Sequence, residues 1–261
     1  MSLIALFERY LNYHFHVALA VVCLFGMTTH FLQLRLDELH YFGVGACSWL
    51  GYYFITHLSQ KRTTTTLIWS LIGAALSSWY IVQLPSTAQL VCGVCALLVM
   101  CYPNISGLQY GGLREKPGWK VVVVALTWTI FCVGLAVSLS ERMPAFHLII
   151  QVSFFIFLYV LAAMIPFEIR DLPTDHPRLQ TLVHRLGEQC SRTIGYLLTL
   201  LILLLLIGMP VSSFSKIWIA VWVGFLTWSI YVNPRTSPYF CSFWVEAIPI
   251  FMYAGPWLVG S

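Results

Sequence analysis

Glu168, Asp171 and Asp175 are three of only ten acidic residues among 261, and they fall together in PFEIRDLPTDHPRLQTLVHRLG, from Pro166 to Gly187. Their i, i+3, i+7 spacing would set three carboxylates on one face of a helix, and hard oxygen ligands of that kind suit Mg2+. That is the arrangement a magnesium ion bearing a diphosphate needs. Pro173 interrupts a regular helix through the whole set, because it cannot donate a backbone hydrogen bond. Arg114, Lys116 and Lys120 are the cations expected to steady phosphate oxygens, with Arg170 inside the acidic stretch itself; the first three equally suit contacts to anionic lipid. Tyr53 and His57, at the end of one apolar run, and Glu246, the only acid in the last, are candidates to line a cavity. Each also has a structural reading: a helix-end histidine with a hydrogen-bonding role, and a carboxyl bonded to a neighbouring helix.

The elements that must position these groups are apolar helices. Hydrophobic residues make up 59% of the chain and charged residues 9%, with a mean hydropathy of +0.81, far from the composition of a soluble domain. A bilayer accepts only backbones whose hydrogen bonds close internally, and the apolar runs lack the alternation of a barrel. The chain is therefore read as an all-α, polytopic membrane protein forming a single transmembrane helical domain over residues 1–261. Nine spans are expected, near 13–33, 41–58, 66–84, 87–103, 119–139, 145–166, 194–211, 215–233 and 239–259. Short links at Pro85-Ser86 and Ser212-Ser213 mark antiparallel neighbours.

Longer polar links follow the second, fourth and sixth spans, so all three belong on one face. Of the 14 Lys and Arg residues, 11 lie in the amino-terminal segment or in links after even-numbered spans, and only Arg35, Arg142 and Lys216 fall opposite. The positive-inside rule then places the amino terminus in the cytoplasm and the carboxyl terminus outside. A multi-pass protein of a bacterial inner membrane is expected, with no cleavable leader in the first residues. The net charge of +4 is spread along the chain without a dense basic run, which excludes nucleic acid as a partner. Cys92 and Cys95 form a C-x-x-C inside an apolar run with no second pair to complete a zinc site, and read as small buried residues. His14, His16 and His30 border the first span as interfacial residues. The 10 tryptophans and 13 tyrosines fit interface belts and packing.

Taken together, the stretch resembles the second aspartate-rich motif of the UbiA superfamily of intramembrane prenyltransferases, which reads like N-D-x-R-D-x-x-x-D. Here F-E-I-R-D-L-P-T-D covers it: Phe167 replaces Asn, Glu168 replaces the first Asp, and Arg170, Asp171 and Asp175 match. Downstream, Gln180-Thr181-Leu182 and Leu186-Gly187 are similar to the family's G-K-x-T-L and L-G elements, with Gln in place of Lys. Tyr102-Pro103 and the basic link after the fourth span also look like the family's. The resemblance implies a nine-helix bundle with a cytoplasmic-side cavity, in which two aspartate-rich motifs hold Mg2+ and an isoprenyl diphosphate while a lipid-soluble acceptor is alkylated.

The first motif departs from that pattern. Where the family carries N-D-x-x-D, this chain has Tyr52, Tyr53, Thr56, His57 and Ser59, with no carboxylate. Neutral side chains cannot balance a diphosphate and its metal ions as carboxylates do, so much of the leaving-group catalysis should be lost. Two functions remain open. One is a divergent prenyltransferase using Glu168, Asp171 and Asp175 for Mg2+. The other is a non-catalytic protein of the same fold that binds an isoprenoid, quinone or carotenoid-like lipid, or serves as a membrane subunit beside protein partners. A transporter ranks below both, because no paired interrupted helices or inverted repeat can be seen.

Overall fold

The computed structural model describes residues 3–58, 64–103, 112–116, 118–175, 180–232, 237 and 239–258. Among them there is no strand. The amphipathic α1 (Leu3–Asn12) meets the apolar α2 (Phe15–Phe31) at an angle of 57°. His14, in the left-handed region at φ 60°, makes the corner. There follow α3 (Glu38–Tyr53), α4 (Thr64–Ile81) and α5 (Ser86–Cys101), then α6 (Trp119–Thr129) and α7 (Leu135–Ser138), which are joined without a break through a π-turn at Ile130–Gly134. The long α8 (Phe146–Asp171), the short α9 (Leu182–Leu186), α10 (Glu188–Ile207), α11 (Ser213–Tyr231) and α12 (Ile248–Leu258) complete the chain.

Four of these segments are long and apolar enough to cross a bilayer: Trp119–Ser138, Phe146–Asp171, Glu188–Ile207 and Ser213–Tyr231, with the bent α1–α2 pair as a fifth. Each of the other apolar stretches also holds a helix, and Ser86–Cys101 and Phe240–Gly255 are shorter than a full span. The wide belt of exposed apolar side chains, such as Leu71, Leu90, Leu97 and Ile207, marks a surface made for lipid.

The helices form a ring in chain order. α2 packs on α3 and α3 on α4; α5 packs on α6 and its π-turn, α6 on α8, α8 on α10, α10 on α11, and α11 on α12, which returns to α2. α4 and α5 approach each other only marginally and leave the ring open at that point. Small residues permit the close crossings that lipid-immersed helices depend on. A Cβ on Gly26 would lie 2.4 Å from the Tyr253 ring where α2 meets α12, and one on Gly43 would lie 2.3 Å from the Tyr80 ring where α3 meets α4. Cys92 and Cys95 are buried free thiols one turn apart on α5.

One boundary differs from the sequence expectation for a physical reason. α8 runs through Pro166 and five residues past the expected end, because a proline within a long packed helix forfeits one backbone bond while its neighbours Ile165 and Ile169 remain buried. It stops at Asp171, two residues before Pro173. Asp175 therefore leaves the helix, its N–H donating to the Asp171 carbonyl at 2.7 Å.

Candidate functional site

The ring encloses a cavity of about 810 Å³ whose walls are mostly apolar. Its polar end is built where α8 finishes, α6 begins, the Leu113–Glu115 turn folds back and the Phe240–Val245 π-turn enters α12. Arg114, Lys120 and Arg170 all line it there. Gly118, with φ 76°, makes the left-handed bend that starts α6 and sets Lys120 in its first turn.

The three carboxylates of the acidic stretch take different partners. Glu168 is buried at 1% exposure, and its Oε2 accepts the Leu182 N–H at 3.0 Å, so it ties the end of α8 to the start of α9. Its Oε1 has no partner among the described residues. Asp171, partly exposed, accepts from Arg170 Nε at 2.7 Å. Asp175 accepts from Lys120 Nζ at 2.7 Å, with Arg114 Nη2 3.9 Å from its other oxygen. None of the three lines the cavity. The three carboxylates thus do not share one helix face as the spacing suggested, because α8 ends before Asp175, and each acid has a different partner.

The cations are engaged in the same way. Arg170 also donates from Nη1 to Ser242 Oγ at 3.0 Å and lies 5.0 Å over the Phe167 ring. Lys120 is buried at 5% exposure beside Asp175. Lys116 is exposed and off the cavity, unlike its expected partners Arg114 and Lys120.

On the opposite wall the end of α3 and the π-turn that continues it, Phe54–Leu58, carry neutral pairs. Tyr52 lines the cavity, and its hydroxyl accepts from Trp128 Nε1 on α6 at 3.0 Å. Thr56 and His14 also line it, Oγ1 to Nε2 at 2.8 Å. Tyr53 was the expected cavity residue, but it is buried away from it, stacked on Tyr13 at 6.4 Å beside Trp49. Consecutive helix residues point about 100° apart, and the rotation of α3 here turns Tyr53 onto Tyr13 and Trp49. The side chain of His57 lies outside the described residues. Glu246 lines the cavity from the turn between the π-turn and α12. Sequence spacing missed the Tyr52–Trp128 bond, since 76 residues separate the partners.

Two divalent ions with a diphosphate need carboxylates free to coordinate on both sides of a site. All ten acidic residues of the sequence lie among the described ones. No group of three or more His, Cys, Asp or Glu among the described residues is arranged to hold a metal ion. The α8 carboxylates are bonded to the protein's own cations or backbone, and the α3 wall has none. These residues do not fit a two-magnesium site.

Comparison with solved structures places the architecture. The chain is similar to the apo structure of a UbiA homologue from Aeropyrum pernix K1, with a TM-score of 0.72 and 11% identity, covering 93% of this chain and 97% of that one. It is also similar to a UbiA homologue from Archaeoglobus fulgidus bound to DMAPP and Mg2+, with a TM-score of 0.59 and 14% identity over 95% and 98% of the two chains. No family model matches the sequence, and no curated protein does. The resemblance to the UbiA superfamily read from the acidic stretch thus extends to the whole fold.

Proposed function

We propose that this UbiA-like, multi-pass membrane protein holds an isoprenoid-type lipid in its central cavity without carrying out metal-assisted prenyl transfer. The observation that carries this reading is the contrast within the site. The apolar cavity is open and large, while each carboxylate that would hold Mg2+ is committed to Leu182, Arg170 or Lys120. In this reading nine helical segments cross the membrane, the amino terminus is cytoplasmic, and the polar end of the cavity faces the cytoplasm. The membrane is a bacterial inner membrane.

A second reading keeps prenyl transfer, with Asp171 and Asp175 released to bind Mg2+ and Arg114, Lys120 and Arg170 on the diphosphate. It is favoured by one observation, that these three cations line one end of the same cavity. The two readings part experimentally. Gently solubilised protein should yield a bound neutral lipid on extraction, and incubation with an isoprenyl diphosphate and Mg2+ should release no pyrophosphate. Mg2+-dependent pyrophosphate release that is abolished in Asp171→Ala or Asp175→Ala would establish the second reading. A protein that purifies empty and binds no isoprenoid would end the first.

A further inference from the structure

The lipid-holding reading leaves open what the occupant's head group is, and Glu246 bears on that. It lines the cavity and is flanked by the buried Val245 and Ala247. No hydrogen bond or ion pair reaches its carboxyl among the described residues. Arg170, the cation within electrostatic reach of it, is held by Asp171 and by Ser242 one turn earlier. A carboxyl left without a partner in an apolar wall is costly unless something inside the cavity donates to it.

The surroundings narrow the donor. At the polar end the three cations that line the cavity already have carboxylate neighbours, Asp175 for Lys120 and Arg114 and Asp171 for Arg170. That pairing leaves none of the three uncommitted for a diphosphate, and Glu246 adds no cation. Tyr52, also within electrostatic reach of Glu246, accepts from Trp128 and keeps its own proton to donate into the cavity. A head that both donates and accepts satisfies Glu246 and Tyr52 together. A carboxyl offers an acceptor oxygen in either protonation state. The chain has a way out: Leu67, Leu71 and Met100 line the cavity yet are 47%, 69% and 58% exposed, where α4 and α5 stand apart.

We infer that the cavity selects an uncharged lipid alcohol, its hydroxyl donated to Glu246 and accepting from Tyr52, its chain leaving between α4 and α5. This rests on the lipid-holding reading. The test is native mass spectrometry of the full chain with three probes: geranylgeraniol, its methyl ether, and geranylgeranyl diphosphate. Wild type should bind the alcohol about tenfold tighter than the ether, the size of one hydrogen bond to a charged or strongly polar group. Glu246→Leu should bind both equally, and Glu246→Gln, which keeps an acceptor oxygen and the side-chain shape, should retain most of the preference. Equal binding of alcohol and ether by wild type overturns the inference and leaves the lipid-holding reading standing. Preference for the diphosphate overturns both. Binding of none of the three removes the lipid-holding reading and this inference with it.

Discussion

The two walls of the cavity's polar end solve the same problem in opposite ways. The α8 wall is dense in charge and the α3 wall has none; the α8 acids are held by the protein's own groups, and of their oxygens Glu168 Oε1 is buried without a partner among the described residues. On the α8 side Asp175 sits between Lys120 and Arg114, Asp171 beside Arg170, and Glu168 on a backbone N–H. On the α3 side Tyr52 and Trp128, and Thr56 and His14, satisfy one another. Polar groups at the edge of an apolar bundle must be partnered, and on these two walls the protein supplies most of the partners itself. Charge on one wall alone does not make a metal site when the charges are consumed internally.

The sharpest way to break this comparison is to unpair the charged wall. Lys120→Met leaves Asp175 nearly buried beside a weak, distant Arg114, and should lower stability by about 3–5 kcal/mol. Thermal unfolding in detergent would register this, and adding Asp175→Leu should recover most of the loss, since replacing both members of a buried pair is often neutral. Recovery failing to appear would mean that Asp175 has a partner beyond the two cations.

The neutral wall should respond less. Tyr52→Phe removes the acceptor of Trp128 Nε1 without changing shape, and should cost about 1–2 kcal/mol in the same measurement. Asp171→Asn should cost under about 1 kcal/mol, because the Arg170–Asp171 pair is more than a quarter exposed and Arg170 keeps Ser242. The smallest expected effect is that of metal. Adding Mg2+ to the wild-type protein with an isoprenyl diphosphate should leave the melting temperature unchanged, whereas a ligand at 100 times its Kd would add about 2.7 kcal/mol. A clear Mg2+-dependent rise would show the α8 carboxylates exchanging their internal partners for a metal ion, and the two walls would then differ in function as well as in charge.

Much of this was legible from residue order. The acidic stretch, the neutral replacement of the first motif and the Leu186-Gly187 element could all be read directly, and Gly187 does take φ 82° between α9 and α10, a backbone that glycine adopts without strain. Helix ends were less legible. The sixth span is expected to end near Pro166, yet α8 continues to Asp171, because burial of the neighbouring residues outweighs one lost backbone bond. The choice of Tyr53 over Tyr52 could not be made at all from spacing, since an aromatic-rich helix that is apolar on every side carries no periodic signal of which face looks inward.

The sequence by itself determined the class of the molecule. Long apolar runs must be helices where no water can satisfy the backbone, and the order of acidic and basic links along those runs needs no coordinates. Only the tertiary structure decided whether the acids are available. Lys120 meets Asp175 across 55 positions and Trp128 meets Tyr52 across 76. Such pairs depend on how each helix is rotated in the ring and on where it stops, and those are set by the packing of side chains against neighbours distant in the chain.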